Sequence, residues 1–260
     1  MVTKEKLTAR QTAVLNHIRQ QGRVLVDDLA EIFATTPQTI RKDLQILADA
    51  NEVVRFHGGA SLLSGVEYTS YEARKNIATR QKELIGAEVA RRIPNHTALM
   101  INVGTTTAAV ANALANHLDL KIITDNVNIA NDLRKYPSIE IMVPGGVVRH
   151  SDGAIVGGAA VDFIRQFRAD IAVIGASAIG GDGSLLDYDL REAHVARAIV
   201  ENSRHVILAA DATKYERTAP IRIGHLNQVD VFVTDQCSND NLRALCDDAN
   251  VELVEAGPNG

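Results

Sequence analysis

Tryptophan is absent from the 260 residues, and aromatic side chains supply only 4% of them. The hydrophobic fraction of 46% is therefore mostly aliphatic, enough for one large core and one small one. Cysteine is scarce as well. Cys237 and Cys246 have neither CxxC nor metal-ligand spacing, which excludes a disulfide framework and a cysteine metal site, and fits two reduced thiols. The longest apolar run, near residues 171–179, is too short to span a bilayer, and no charged-then-apolar leader opens the chain. A cytoplasmic protein without a membrane partner is expected. Positive charge is missing too: the net charge is −5. A general architectural DNA binder draws its affinity from a large positive charge, so that class fits poorly. Residues 1–60 carry 8 Lys and Arg against 7 Asp and Glu, and the remainder 19 against 25. Any nucleic-acid contact must then come from local placement of cations.

What is present begins with TTPQTIRKDLQIL at residues 35–47. Thr36 suits an N-cap and Pro37 the first helical position, where a missing N–H costs nothing. Ile40, Leu44 and Leu47 form one apolar stripe. Gln38 and Lys42 point away from it, as does Gln45, with Thr39 and Arg41 on the flanks. An ordinary surface helix has the same pattern, but amides and cations on such a face also suit base edges and phosphates in a major groove. Upstream, Thr8 and Gln11 form a capping box for a helix with Val14, Leu15 and Ile18 inward, and Gly22 sits where a left-handed C-terminal residue is expected. A short helix over residues 27–33 follows, with Leu29, Ile32 and Phe33 inward. Two helices and a tight turn make a helix-turn-helix. Asn51 can end the reading helix, and EVVRFHGGAS (52–61) reads as a β-hairpin wing carrying Arg55 and His57.

This order of motifs, a DLAEIF-type helix, TPQTIRKDLQIL and RFHGGA, resembles the winged helix of the DeoR family of bacterial sugar-catabolism repressors. Leu25 departs from it, standing where a Ser or Thr cap is usual, and Asn51 replaces a common Gly. The resemblance implies operator DNA as a partner, with Thr36, Gln38, Thr39, Arg41, Lys42, Arg55 and His57 as the contacting residues.

Residues 62–79 lack clear periodicity and read as a linker between a winged helix-turn-helix domain (1–61) and an α/β domain (80–260). In the latter, near-continuous apolar strands (97–101, 120–124, 139–143, 170–174, 205–209, 231–234 and 251–254) alternate with amphipathic helices, the first of them over 81–93. That is the pattern of a doubly wound, mostly parallel sheet covered on both faces. Ligands of such sheets bind at the carboxyl ends of strands. There the sequence sets Gly104, Thr105, Thr106 and Thr107 before a helix, a glycine turn with hydroxyls and unpaired N–H groups that suits a phosphate. Other strand ends add Asn126, then Gly145, Gly146, Arg149 and Asp152, then Asp182 and Glu192 with Asp187 between them, and finally Lys214. Amides and cations suit hydroxyls and phosphate, and carboxylates suit sugar hydroxyls.

These motifs carry the family likeness to about residue 235. They imply a sugar-phosphate sensor similar in fold to ribose-5-phosphate isomerase. DFIRQFRADIAVIGASAI (162–179), DGSLLDYDLRE (182–192) and IVENSRHVIL (199–208) are similar to members that answer to glycerol 3-phosphate; another sugar phosphate is the alternative. An isomerase-like enzyme is the other class. Its fold-mates use a lysine and glycine run beyond the acidic loop, which is missing after residue 192, so a carboxylate here reads as a binding group and no catalytic residue, metal or cofactor is expected. A repressor released from DNA by its effector, acting as a homodimer or homotetramer, is the reading.

Overall fold

The computed structural model describes residues 7–21, 23–50, 52–56, 58–62, 71–215 and 217–257. Gly22, Asn51 and His57 lie outside the described residues. The chain divides into two units, Met1–Thr69 and Ser70–Gly260.

In the first unit the capping box forms: Gln11 Oε1 accepts from the Thr8 peptide N–H at 2.9 Å, and Thr8 Oγ1 accepts from the Gln11 N–H at 3.3 Å. It opens α1 (Ala9–Gln21), which buries Val14, Leu15 and Ile18. A short strand β1 (Arg23–Leu25) leads directly into α2 (Val26–Ile32), whose N-cap position, Leu25, offers no side-chain cap. The apolar stripe of α2 is Val26, Leu29, Ala30 and Phe33, at i, i+3, i+4 and i+7. Ile32, expected inward, falls off that stripe and is 55% exposed. Ala34 then turns the chain through a left-handed conformation (φ 46°) into α3 (Pro37–Asp49). Thr36 caps α3 by accepting from the Thr39 N–H at 3.2 Å, and Ile40, Leu44 and Leu47 are fully buried. The wing is the hairpin β2 (Val53–Phe56) and β3 (Gly59–Leu62), with β1 antiparallel to β3 on its other side. Phe56 pairs with Gly59, so the loop has two residues, and Gly58 adopts φ +87° in it.

The second unit starts with α4 (Tyr71–Asn76), inside the stretch read as a linker; six residues are too few to register as a period. Then come α5 (Thr79–Arg91), β4 (Ala98–Ile101), α6 (Thr105–Ala113), β5 (Leu120–Thr124), α7 (Val127–Leu133) and β6 (Ile139–Met142). After a loop follow α8 (Gly158–Ile164), β7 (Ala169–Ile174), β8 (Ala178–Ile179), β9 (Ser184–Asp187), α9 (Leu190–Glu201) and β10 (Ser203–Ala209). The chain ends with β11 (Ile221–His225), β12 (Val231–Thr234), α10 (Asp240–Asp248) and β13 (Glu252–Glu255).

Seven strands make one parallel sheet in the order β13-β12-β10-β7-β4-β5-β6. Alternate residues feed opposite faces, as the pleat requires. Met100, Ala172 and Leu208 join the layer with α8, α9 and α10, whereas Leu99, Ile101, Val173 and Ile207 join the layer with α5, α6 and α7. The expected doubly wound sheet is therefore present. Its direction of growth reverses between β4 and β7, which opens a crevice at their carboxyl ends. A small antiparallel sheet, β11-β9-β8, was not foreseen. Among the described residues, no helix is long and apolar enough to cross a membrane.

Candidate functional site

A pocket opens at that reversal, lined by Arg74, residues 103–107 and 175–177, Asp187, Glu192, Ala209 and Lys214. It is a narrow cleft of about 350 Å³ when the open space at its mouth is counted. The strand ends are joined beneath it: the Gly175 N–H donates to Asn102 Oδ1 at 2.9 Å, and Thr107 Oγ1 donates to the Asn102 carbonyl at 2.8 Å. Thr107 is thus fully committed to the turn. A Cβ on Gly104 would meet Thr107 Oγ1 at 2.8 Å, so the turn requires glycine there. Thr105 and Thr106 begin α6 and present the helix's unpaired N–H groups to the pocket.

The pocket lining carries the cations Arg74 and Lys214, with Lys82 and Arg217 close to them. Lys214 is buried, and burial lowers its ammonium to about 8; Asp211 offsets this, while Arg217, Arg74 and Lys82 add to it. Lys82, also buried, is lowered to about 8 by burial, with Asp211 opposing and Arg74 and Arg217 adding to it, and donates to the carbonyls of Arg74 and Ile77, the latter at 2.6 Å. Such a group of cations suits an anion.

The same lining carries two carboxyl groups. Burial raises both Asp187 and Glu192 above the usual carboxylate range. Arg149 meets Glu192 and Asp152 at 2.5 Å each and Asp189 at 2.8 Å. Burial opposes its charge, but these carboxylates outweigh that and hold the guanidinium above its ordinary value. Arg149 lies behind the pocket wall and fixes Glu192 in it. Asp152 accepts from Arg149, and its carbonyl accepts from Asn126 Nδ2 at 3.0 Å. Asn126 Oδ1 caps α7, accepting from Asn128 and Ile129.

Of the effector residues expected from the sequence, the pocket brings together Gly104, Thr105, Thr106, Thr107, Glu192 and Lys214. Arg149, Asp152 and Asn126 brace it from outside. Gly145 and Gly146 are exposed and do not line it. Asp182 does not line it either: its side chain is 66% exposed and bonds to Ser184 in the turn between β8 and β9. Arg74 was missed because the stretch around it carries no readable period. The absent lysine that argued against catalysis is also qualified, since Lys214 reaches the same pocket from the far end of β10. Among the described residues, no group of three or more His, Cys, Asp or Glu is arranged to hold a metal ion.

On the first unit, Gln38, Arg41 and Lys42 are exposed on α3, and Thr36 and Thr39 share a hydroxyl contact of 2.9 Å at its start. Arg55 Nη1 donates to Gln45 Oε1 at 2.5 Å, tying the wing to α3. Asp43, on the inner face of α3, accepts from Arg10 Nε at 2.6 Å and Gln11 Nε2 at 3.1 Å and fixes α3 to α1.

Residues 10–66 match the DeoR-like helix-turn-helix domain, and residues 77–236 the DeoR C terminal sensor domain. The chain is 43% identical over 248 residues to the glycerol-3-phosphate regulon repressor of Escherichia coli, covering 95% of this chain and 98% of that one. The Haemophilus influenzae protein of the same name is 44% identical over 88% of this chain and 89% of its own. The HTH-type transcriptional repressor CsqR of Escherichia coli is 36% identical over 94% of each. A ribose 5-phosphate isomerase A from Methanocaldococcus jannaschii superposes with a TM-score of 0.40 and 14% identity, over 53% of this chain and 55% of that one.

Proposed function

The chain belongs to the DeoR family of transcriptional repressors, a regulator rather than an enzyme, and from that premise we propose that glycerol 3-phosphate binds its sensor pocket and releases it from the operator of a polyol catabolic operon. The single observation that carries this reading is the polarity of the small pocket. The start of α6, Lys214 and Arg74 suit a phosphate, while Asp187 and Glu192 in the same lining suit hydroxyls. A three-carbon polyol phosphate has both ends within a short length. The names of the two relatives at 43% and 44% identity agree with that chemistry. In this reading Gln38, Arg41 and Lys42 on α3 face the groove, with Arg55 on the wing and Thr36 and Thr39 at the helix start, and His57 is the remaining contact. Two copies read a two-fold operator.

The experiment is calorimetric titration of the full chain with glycerol 3-phosphate, fructose 6-phosphate and glycerol, together with operator release followed by fluorescence anisotropy. Binding and release by glycerol 3-phosphate, with none by glycerol, is the expected result. A stronger response to the hexose phosphate would replace the effector and leave the regulator intact.

A further inference from the structure

Given a phosphorylated effector in this pocket, as proposed above, we infer that Arg74 is the clamp on its phosphate and the residue through which occupancy reaches the DNA-reading unit. Arg74 is the lining residue nearest in sequence to the winged helix; the next, Val103, comes after β4. Only residues 63–70 separate the last wing strand, β3, from α4. In the chain, α4 is thus the first described element after the wing.

The side chain is suited to change partners. Its guanidinium carbon lies 5.8 Å from the centroid of the buried Tyr71 ring, one turn back on α4. Its Nε is buried and has no hydrogen-bond partner among the described residues. Its charge is felt by both Asp187 and Lys214, which line the same pocket. Without an anion, Arg74, Lys82, Lys214 and Arg217 repel one another, with Asp187 and Asp211 as the opposing charges. A phosphate monoester reverses this balance and offers planar oxygens to the guanidinium fork. Occupancy then exchanges the contact with Tyr71 for a charge-assisted bond.

Lys82, from α5, donates to the carbonyls of Arg74 and Ile77. The same residue thus meets the ligand through its side chain and the sensor scaffold through its carbonyl. A ligand can shift an equilibrium only by its difference in affinity between two states, and Arg74 is where the two states differ.

The test uses Arg74→Gln and Arg74→Lys in the full chain. Glycerol 3-phosphate and inorganic phosphate are titrated by calorimetry, and operator affinity is measured with and without saturating glycerol 3-phosphate. The Gln variant should bind glycerol 3-phosphate at least tenfold more weakly. Its effector-free operator affinity should stay within threefold of the parent, which a merely misfolded sensor would not explain. At saturation the parent should lose tenfold or more in operator affinity, and the Gln variant less than twofold. Lys, which keeps the charge, should restore part of the ligand affinity. If the Gln variant, once saturated, is released from operator as the parent is, Arg74 is not the relay and the pocket reading still stands. If the parent itself binds neither glycerol 3-phosphate nor phosphate, the pocket reading fails and the relay fails with it.

Discussion

Asp125 has the most unusual setting of any single residue. It follows β5 directly and is fully buried, and neither carboxylate oxygen has a hydrogen-bond partner among the described residues. Burial pushes its carboxyl up to about 7 from near 3.8, against nearby peptide dipoles and Arg149. The native state therefore holds this proton more tightly than the unfolded chain. The resulting stability is fully present below pH 4 and is lost as pH climbs to about 7. Asp125→Asn removes the titration. Its melting temperature relative to the parent should improve between pH 4 and pH 7 and then level off, at about 1.4 kcal/mol per pH unit across that window. A constant difference at every pH, read by differential scanning fluorimetry, would place the proton elsewhere. Lys214 makes the complementary prediction for the ligand. A phosphate monoester becomes a dianion near pH 6, so affinity should rise to about pH 7. Above 8 the Lys214 ammonium, lowered by burial, loses its proton and affinity should fall. Lys214→Met should flatten the alkaline limb and weaken binding roughly tenfold at pH 7, about the value of one charge-assisted hydrogen bond.

Among elements, α5 and α6 pack backbone against backbone at Gly86. Gly86 is buried, and a Cβ there would meet the Ala109 carbonyl oxygen at 2.7 Å and its carbon at 2.8 Å. Both are backbone atoms and cannot rotate away, so Gly86→Ala should force the helices apart and cost about 1–3 kcal/mol, seen as a lower melting temperature. In the DNA-reading unit, Asp43→Ala should cost about 2 kcal/mol by leaving α3 without its charged link to α1. It should weaken binding to matched and scrambled operators alike, whereas Gln38→Ala should blur sequence preference. The elements carried by long patterns were legible in the sequence. The seven sheet strands are apolar runs, and Thr36, Pro37 and the stripe of α3 follow from capping and period alone. What escaped had short or irregular sequence. Strand β8 has two residues, β9 runs SLLD, and α4 has six, none of which completes a recognisable period. The site divided the same way. The glycine–threonine turn was readable because its chemistry is contiguous. Arg74 was not, and the bracing role of Arg149 depends on Asp152, Asp189 and Glu192 meeting from separate loops.

For the whole molecule, effector and DNA bind units with separate cores, so their influence is mutual by linkage. Saturating operator should weaken glycerol 3-phosphate binding by the same factor that the effector weakens operator binding, typically ~5–150-fold. Equal ligand affinity with and without operator would sink induction by this route.

The pocket wall also has an order in time. Its lining runs from Arg74 to Lys214, so β4, β7 and β10 must all be made and docked before it exists. The reading helix and wing are complete by Leu62, with a core of their own. Chains emerge amino end first, and domains fold as they emerge. Each molecule thus completes its helix-turn-helix unit during synthesis before its pocket exists. A premature stop anywhere between Leu62 and Lys214 leaves a fragment with that unit and without the full pocket lining.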